Sequence, residues 1–201
     1  MVNKAFGKLS SVTSEDGVRV EYGIIEGNSQ VVFIKAGAGG TYLGDEEKYL
    51  RMARLLNQKS GCTVICASNP DRDSFNQCDF RMLTEYFQNR IADEPSLYFL
   101  GSSNGAYQGL VFATRFFRFK KMLLINMPLM LNYHKSKAAL DALMDTEVLF
   151  VYGENDPSFK YLPFLKSRYK DRFKILAVEG ADHNFEGMID DYIGLSNMLL
   201  D

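Results

Sequence analysis

Hydrophobic and polar positions change their rhythm once along this chain. Two runs in which polar and apolar residues alternate, about Ala5 to Val12 and Val18 to Ile25, flank Ser14-Glu15-Asp16-Gly17. Alternation of period two predicts strands with one wet face, and the Asp-Gly step between them predicts a hairpin turn. After Gly27-Asn28-Ser29 the apolar runs become short and unbroken: Val31 to Ala36, Thr63 to Ala67, Leu97 to Gly101, Met122 to Asn126, Val148 to Tyr152 and Phe173 to Val178. A strand covered by helices on both sides shows such a run, because neither face of its pleat meets water.

Between those runs the period lengthens. Tyr49, Met52, Ala53 and Leu56 follow helical spacing; Phe80, Leu83, Phe87 and Ile91 keep nearly the same stripe, and Met188, Ile189, Tyr192, Ile193 and Leu199 repeat it near the end. Each stripe predicts an amphipathic helix. A hairpin followed by alternating strand and helix units predicts a three-layer α/β/α fold whose mixed, mostly parallel sheet has right-handed crossovers. No repeat, low-complexity tract or linker interrupts the 201 residues, so one domain spanning 1–201 is expected. The interval Met127 to Thr146 has room for one short helix, about Lys135 to Met144, which leaves little or no length for a lid.

Composition narrows the function classes. Hydrophobic residues make up 46% and charged residues 24%, ordinary globular usage. A net charge of −2 offers no attraction to a polyanion, so nucleic acid is not an expected partner. The one basic cluster, Arg115, Arg118, Lys120 and Lys121 among Phe116, Phe117 and Phe119, falls where a helix should give way to a strand, and cations there complement the helix dipole. Cys62, Cys66 and Cys78 lack C-x-x-C spacing and have only His134 and His183 to complete a metal set, so they read as reduced core residues, with no metal and no cofactor expected. No segment approaches ~20 apolar residues and no signal-peptide pattern opens the sequence, which predicts a cytoplasmic protein without a membrane partner. Oligomeric state is not legible at this level.

Candidate chemistry centres on one pentapeptide. The apolar run Leu97 to Leu100 leads into Gly101-Ser102-Ser103-Asn104-Gly105, and a helical segment, Ala106 to Phe117, follows. G-x-S-x-G between strand and helix lifts the central serine clear of the backbone, while its glycines admit neighbouring chain without a Cβ clash. A serine hydroxyl needs a base, and imidazole suits that task. His183 lies in a polar loop between the last strand and the last helix; His134 lies before a helix in the middle of the chain and reads as a surface residue. A carboxylate must then hold the base in one tautomer. Asp156, in the loop after Val148 to Tyr152, is the leading candidate, with Glu154 and Asp182 as rivals.

With these residues assembled, the chain resembles an α/β-hydrolase-fold serine hydrolase over nearly its whole length, a small lidless member similar to esterases and thioesterases. The order Ser103, Asp156, His183, each after a strand, is similar to the nucleophile, acid and histidine order of that family. The resemblance implies an eight-stranded sheet, matching the two hairpin strands plus six counted above. It also implies an oxyanion hole that joins the amide of Asn104 to one from Lys35-Ala36-Gly37-Ala38-Gly39-Gly40-Thr41-Tyr42, with Gly37 or Ala38 as donor, although Ala36 stands where a histidine often precedes the glycine. A phosphate-cradling reading of those glycines is weak, since no Gly-Lys-Ser/Thr follows. The expected activity is hydrolysis of a small-molecule acyl substrate, an ester or thioester, with Tyr42, Met127, Leu129, Tyr133 and Phe185 as lining candidates. A catalytically silent binding module and an acyltransferase using the same residues are the alternatives.

Overall fold

The computed structural model describes residues 6–70, 75–88, 95–115, 117–129, 133–143 and 145–200, without the side chains of 75, 76 and 171. The first turn of the fold is the expected hairpin. Strand β1 (Lys8–Thr13) pairs antiparallel with β2 (Arg19–Ile25), so that Val12 faces Val20 across the ladder. Their burial alternates as the sequence does: Val20, Tyr22 and Ile24 are buried while Arg19 and Glu21 are exposed.

From there the chain alternates strand and helix. In order come β3 (Asn28–Lys35), α1 (Lys48–Ser60), β4 (Cys62–Ala67), α2 (Phe75–Gln88), β5 (Ser96–Ser102) and α3 (Asn104–Ala113). These are followed by β6 (Lys121–Ile125), α4 (Tyr133–Ala142), β7 (Glu147–Gly153), α5 (Leu162–Tyr169), β8 (Lys174–Val178) and α6 (Ile189–Gly194). The eight strands form one sheet in the order β1-β2-β4-β3-β5-β6-β7-β8. Only the β1–β2 and β2–β4 pairs are antiparallel; the others run parallel.

Two cores lie on the two faces of this sheet. Tyr49, Met52, Ala53 and Leu56 of α1 pack with Tyr192 and Ile193 of α6 against Val32, Ile34, Val64 and Leu123. On the opposite face α2, α3, α4 and α5 cover Phe33, Ile65, Phe99, Leu124 and Phe150. The α1 stripe is buried in full, and of the last stripe Tyr192, Ile193 and Leu199 are buried while Met188 and Ile189 are half-buried against the same core. The α2 stripe is the exception among the described residues. Cys78, Asp79, Met82, Leu83 and Tyr86 form its buried face, Phe80 is exposed and Phe87 is half-buried. Asp79 hides that face from a hydrophobicity reading, because it is a charged residue turned inward to meet Lys35. Helix α3 also stops sooner than the sequence suggested, at Ala113. Ala5, Ile91, Phe116 and Met144, which bounded expected elements or belonged to the basic cluster, lie outside the described residues.

Two features of the topology place the site. β3 and β5 are neighbours, but β3 connects onward to β4 on one side and β5 onward to β6 on the other, so the connections diverge and open a crevice at the carboxyl ends of β3 and β5. The register also keeps those ends level: Lys35 pairs with Gly101, Ser102 with Ile125, Ile125 with Val151, and Gly153 with Val178. Loops from β3, β5, β6, β7 and β8 thus emerge along one edge. Between β6 and β7 the described residues contain α4 alone. No helix among the described residues is long and apolar enough to cross a membrane, and the three cysteines are buried free thiols.

Candidate active site

Ser103 occupies the joint between β5 and α3 with φ 50° and ψ −124°, a conformation that L-residues avoid. The surroundings enforce it. The Ser103 amide donates to the Ile125 carbonyl at 2.8 Å, and its carbonyl accepts from the amides of Ala106 and Tyr107 at 3.0 and 3.2 Å. A Cβ added to Gly105 would lie 2.2 Å from the Ala36 carbonyl oxygen, so the start of α3 can rest on the end of β3 only with glycine there. Gly101 meets the backbone of Ala106 in the same way.

His183 lies in the loop between β8 and α6, and its imidazole joins the serine to an acid. Nε2 is 2.9 Å from Ser103 Oγ, and Nδ1 is 2.5 Å from Asp156 Oδ2. Asp156 is 4% exposed at the residue level and its other oxygen accepts the Ser158 amide at 2.6 Å. The hydrogen bond with Asp156 raises the histidine pKa above its ordinary value, partial burial opposes that, Asp182 adds to it and Lys48 counters it.

The other candidates from the sequence are placed elsewhere. Asp182 accepts the Asn184 and Glu186 amides at 2.9 and 3.0 Å, which bends the histidine loop and holds this carboxyl below the usual range. Glu154 is exposed. His134 is exposed on α4, with its ring edge-on to Tyr133.

The loop after β3 lies against the nucleophile, for a Cβ on Gly37 would be 3.4 Å from Ser103 Cβ. Its amides are mostly engaged. Gly39 donates to the Asn69 carbonyl at 2.8 Å, Gly40 to the Gly37 carbonyl at 3.0 Å, and the Gly37 amide contacts the Tyr49 hydroxyl. Ala38 is left without an acceptor for its amide among the described residues. Asn104 opens α3, a position whose amide has no intrahelical acceptor. Of the two donors expected from the sequence, Ala38 rather than Gly37 is therefore the one whose amide is without an acceptor among the described residues.

Asn69 ties the two sides together and carries no local sequence signal. Its side-chain amide donates to the Ala36 carbonyl at 3.0 Å and to Asn104 Oδ1 at 3.2 Å, while its backbone amide donates to Gly40 at 2.8 Å. Lys48 was also missed. Its ammonium is buried beside the site, 5.1 Å from the Tyr192 ring centroid and 3.6 Å from Asp45 Oδ2.

The expected lining residues need correction. Met127 is 0% exposed, with its carbonyl accepting the Tyr152 hydroxyl at 2.8 Å, and Phe185 is 1% exposed against Tyr192. Both are core residues, because the chain after β6 and after His183 turns inward instead of lining the crevice. Leu129 and Tyr133 line a small apolar cavity between α4 and α5, with Ser136, Leu140, Tyr161 and Leu165. Tyr42 is half-buried, edge-on to Phe6.

No protein-family model and no curated protein matches the sequence. Solved structures match the fold. An alpha-beta serine hydrolase homologue from Coxiella burnetii superposes with a TM-score of 0.76 at 15% identity, covering 98% of each chain. A lidless serine hydrolase of Xanthomonas campestris gives 0.69 at 16% identity over 96% of this chain and 95% of its own. Est1E of Butyrivibrio proteoclasticus gives 0.68 at 11% identity over 94% of this chain and 96% of its own. The sheet order, the level carboxyl edge and these superpositions agree that this chain has the α/β-hydrolase fold.

Proposed function

We propose that this protein is a serine hydrolase that cleaves a small ester or thioester through an acyl-enzyme intermediate. The observation that carries the reading is the line Asp156 Oδ2, His183 Nδ1, His183 Nε2, Ser103 Oγ, with distances of 2.5 and 2.9 Å between partners. Asp156 accepts a hydrogen bond from Nδ1–H, which leaves the Nε2 lone pair facing the Ser103 hydroxyl.

In the first half-reaction Ser103 Oγ attacks the acyl carbonyl carbon and His183 Nε2 takes the hydroxyl proton. The carbonyl oxygen becomes an oxyanion, to which the amides of Ala38 and Asn104 donate. Collapse expels the alcohol or thiol, which leaves with the proton from Nε2. Water then adds to the acyl carbon with His183 again as base, and Ser103 departs with the proton restored. Two fixed amide donors offer their hydrogen bonds to charge that forms only during reaction, which lowers the barrier and not the ground state.

Supporting this reading are the strained serine and the amides left open opposite it. The Coxiella protein similar to this chain is a serine hydrolase homologue and the Xanthomonas protein a serine hydrolase without a lid. The short β6–β7 interval suits an open site and a small acyl group, and three free thiols suit a reducing cytoplasm. A fluorophosphonate probe tests the proposal. We expect stoichiometric labelling that disappears in Ser103→Ala; an unlabelled wild-type protein, with p-nitrophenyl acetate also untouched, would refute it.

A further inference from the structure

We propose that Asn126 is a positioning residue which holds the His183 loop and the Asp156 loop in mutual register, an inference that rests on the reading above. Asn126 follows the last residue of β6 and is 0% exposed. Its φ is 48°, and its backbone amide donates to the Val151 carbonyl at 2.8 Å. This left-handed turn keeps the side chain at the sheet edge, where every polar atom of the amide finds a partner. Nδ2 donates to the carbonyls of Asp182 and His183 at 3.1 and 2.9 Å, and Oδ1 accepts the Gly153 amide at 2.9 Å.

Those partners belong to the two loops whose alignment the chemistry needs. Gly153 ends β7, and its carbonyl accepts the Asp156 amide at 3.0 Å. The loops also touch directly, since the Asn155 amide donates to the Ala181 carbonyl at 2.9 Å and a Cβ on Gly153 would lie 2.3 Å from that same oxygen. The His183 side chain is 40% exposed, so packing encloses only part of the imidazole. Its backbone must supply the rest of the restraint, and Asn126 holds the carbonyl of that residue.

Asparagine is the side chain that fits. It tolerates positive φ better than most residues, and it alone offers two N–H donors and one acceptor at this length. Aspartate would keep the acceptor for Gly153 but turn an oxygen toward two carbonyls. Glycine would keep the turn and lose all three bonds. The two variants separate a conformational role from a positioning role.

The experiment compares wild type, Asn126→Gly and Asn126→Asp by p-nitrophenyl acetate kinetics across pH, fluorophosphonate labelling rate and thermal unfolding. In variants that still unfold cooperatively we expect kcat to fall by about tenfold to a hundredfold, the scale of a small misplacement, with KM unchanged. In the glycine variant the acid limb should also move to lower pH as His183 and Asp156 separate; the other charges facing that imidazole, Asp182 and Lys48, are retained there. A glycine variant with wild-type kcat and labelling rate would overturn the proposal, since the turn alone would then suffice. So would a loss confined to KM, or activity that merely tracks the folded fraction in both variants. A wild-type protein that resists the fluorophosphonate would remove the hydrolase reading and this inference together, whereas a labelled wild type with indifferent variants removes the inference alone.

Discussion

Lys35 and Asp79 form an ion pair of 2.7 Å in which neither side chain is more than 1% exposed. Burial works against both charges, drawing the lysine pKa down and the aspartate pKa up. The pair persists because each charge faces its opposite and the remaining atoms are bonded: Lys35 Nζ donates to the Ser68 carbonyl at 2.8 Å, and Asp79 Oδ1 accepts the Tyr22 hydroxyl at 2.9 Å. Lys35→Met leaves a lone buried carboxylate and should cost about 3 to 5 kcal/mol in urea unfolding. Lys35→Met combined with Asp79→Leu should recover much of that loss; equal stability of the single and double variants would show that the unpaired charge is not the cause.

Gly105 supports the elbow against β3. In Gly105→Ala the new methyl would also lie 2.7 Å from the Lys35 carbonyl oxygen, pushing the Ala36 to Gly40 loop away from Ser103. We expect a stability loss of about 1 to 3 kcal/mol, and a fall in kcat of roughly 10²-fold as the oxyanion donors separate. Unchanged kcat for p-nitrophenyl acetate would show that these donors are not needed where they stand.

Strain at Ser103 can be read without any substrate. Ser103→Ala and Ser103→Gly both remove the nucleophile, but only glycine relieves a φ of 50°. The glycine variant should therefore be more stable than the alanine variant by about 1 kcal/mol. Equal melting midpoints would place the strain elsewhere.

The raised pKa of His183 sets the sign of the pH response. Neutral imidazole is the base, so kcat/KM should fall as pH drops through a midpoint above the ~6.5 of an unperturbed histidine. Asp156→Asn removes the largest cause of the elevation; it should lower that midpoint and reduce kcat by about 10³- to 10⁴-fold. For folding the sign is opposite. A histidine whose pKa is higher folded than unfolded contributes stability that is present in full below the unfolded value and is lost as pH rises through the folded value. A midpoint at or below that of free histidine would refute the hydrogen bond as the controlling interaction.

Much of the architecture was legible because its signals are local. The change from alternating to unbroken apolar runs at Gly27 separates two hairpin strands from the covered ones, since a pleat wet on one face and a pleat dry on both demand different residues; β8 departs from that expectation, because at the sheet edge its Lys174 and Ala177 are exposed and its other residues only half-buried. The pentapeptide around Ser103 was legible for the same reason, as the turn and its glycines lie within five consecutive residues. The α2 face was misread because its buried side carries Asp79, whose partner Lys35 is 44 residues away. Met127 and Phe185 were misplaced because apolar residues after a strand end read alike whether the chain turns toward the crevice or into the core.

The sequence by itself determined the strand and helix order, the serine elbow, and the set of histidines and acids from which a base and its partner could come. Only the tertiary structure decided that Asp156 rather than Glu154 or Asp182 faces His183, that the amide of Gly37 is engaged while that of Ala38 is not, and that Asn69 and Asn126 join loops on different strands. The physical reason is range. Backbone preference and hydrophobic period act over a few residues and are written in consecutive letters, whereas a hydrogen bond is defined to tenths of an ångström between atoms whose separation along the chain, 80 residues for Ser103 and His183, says nothing of their distance in space.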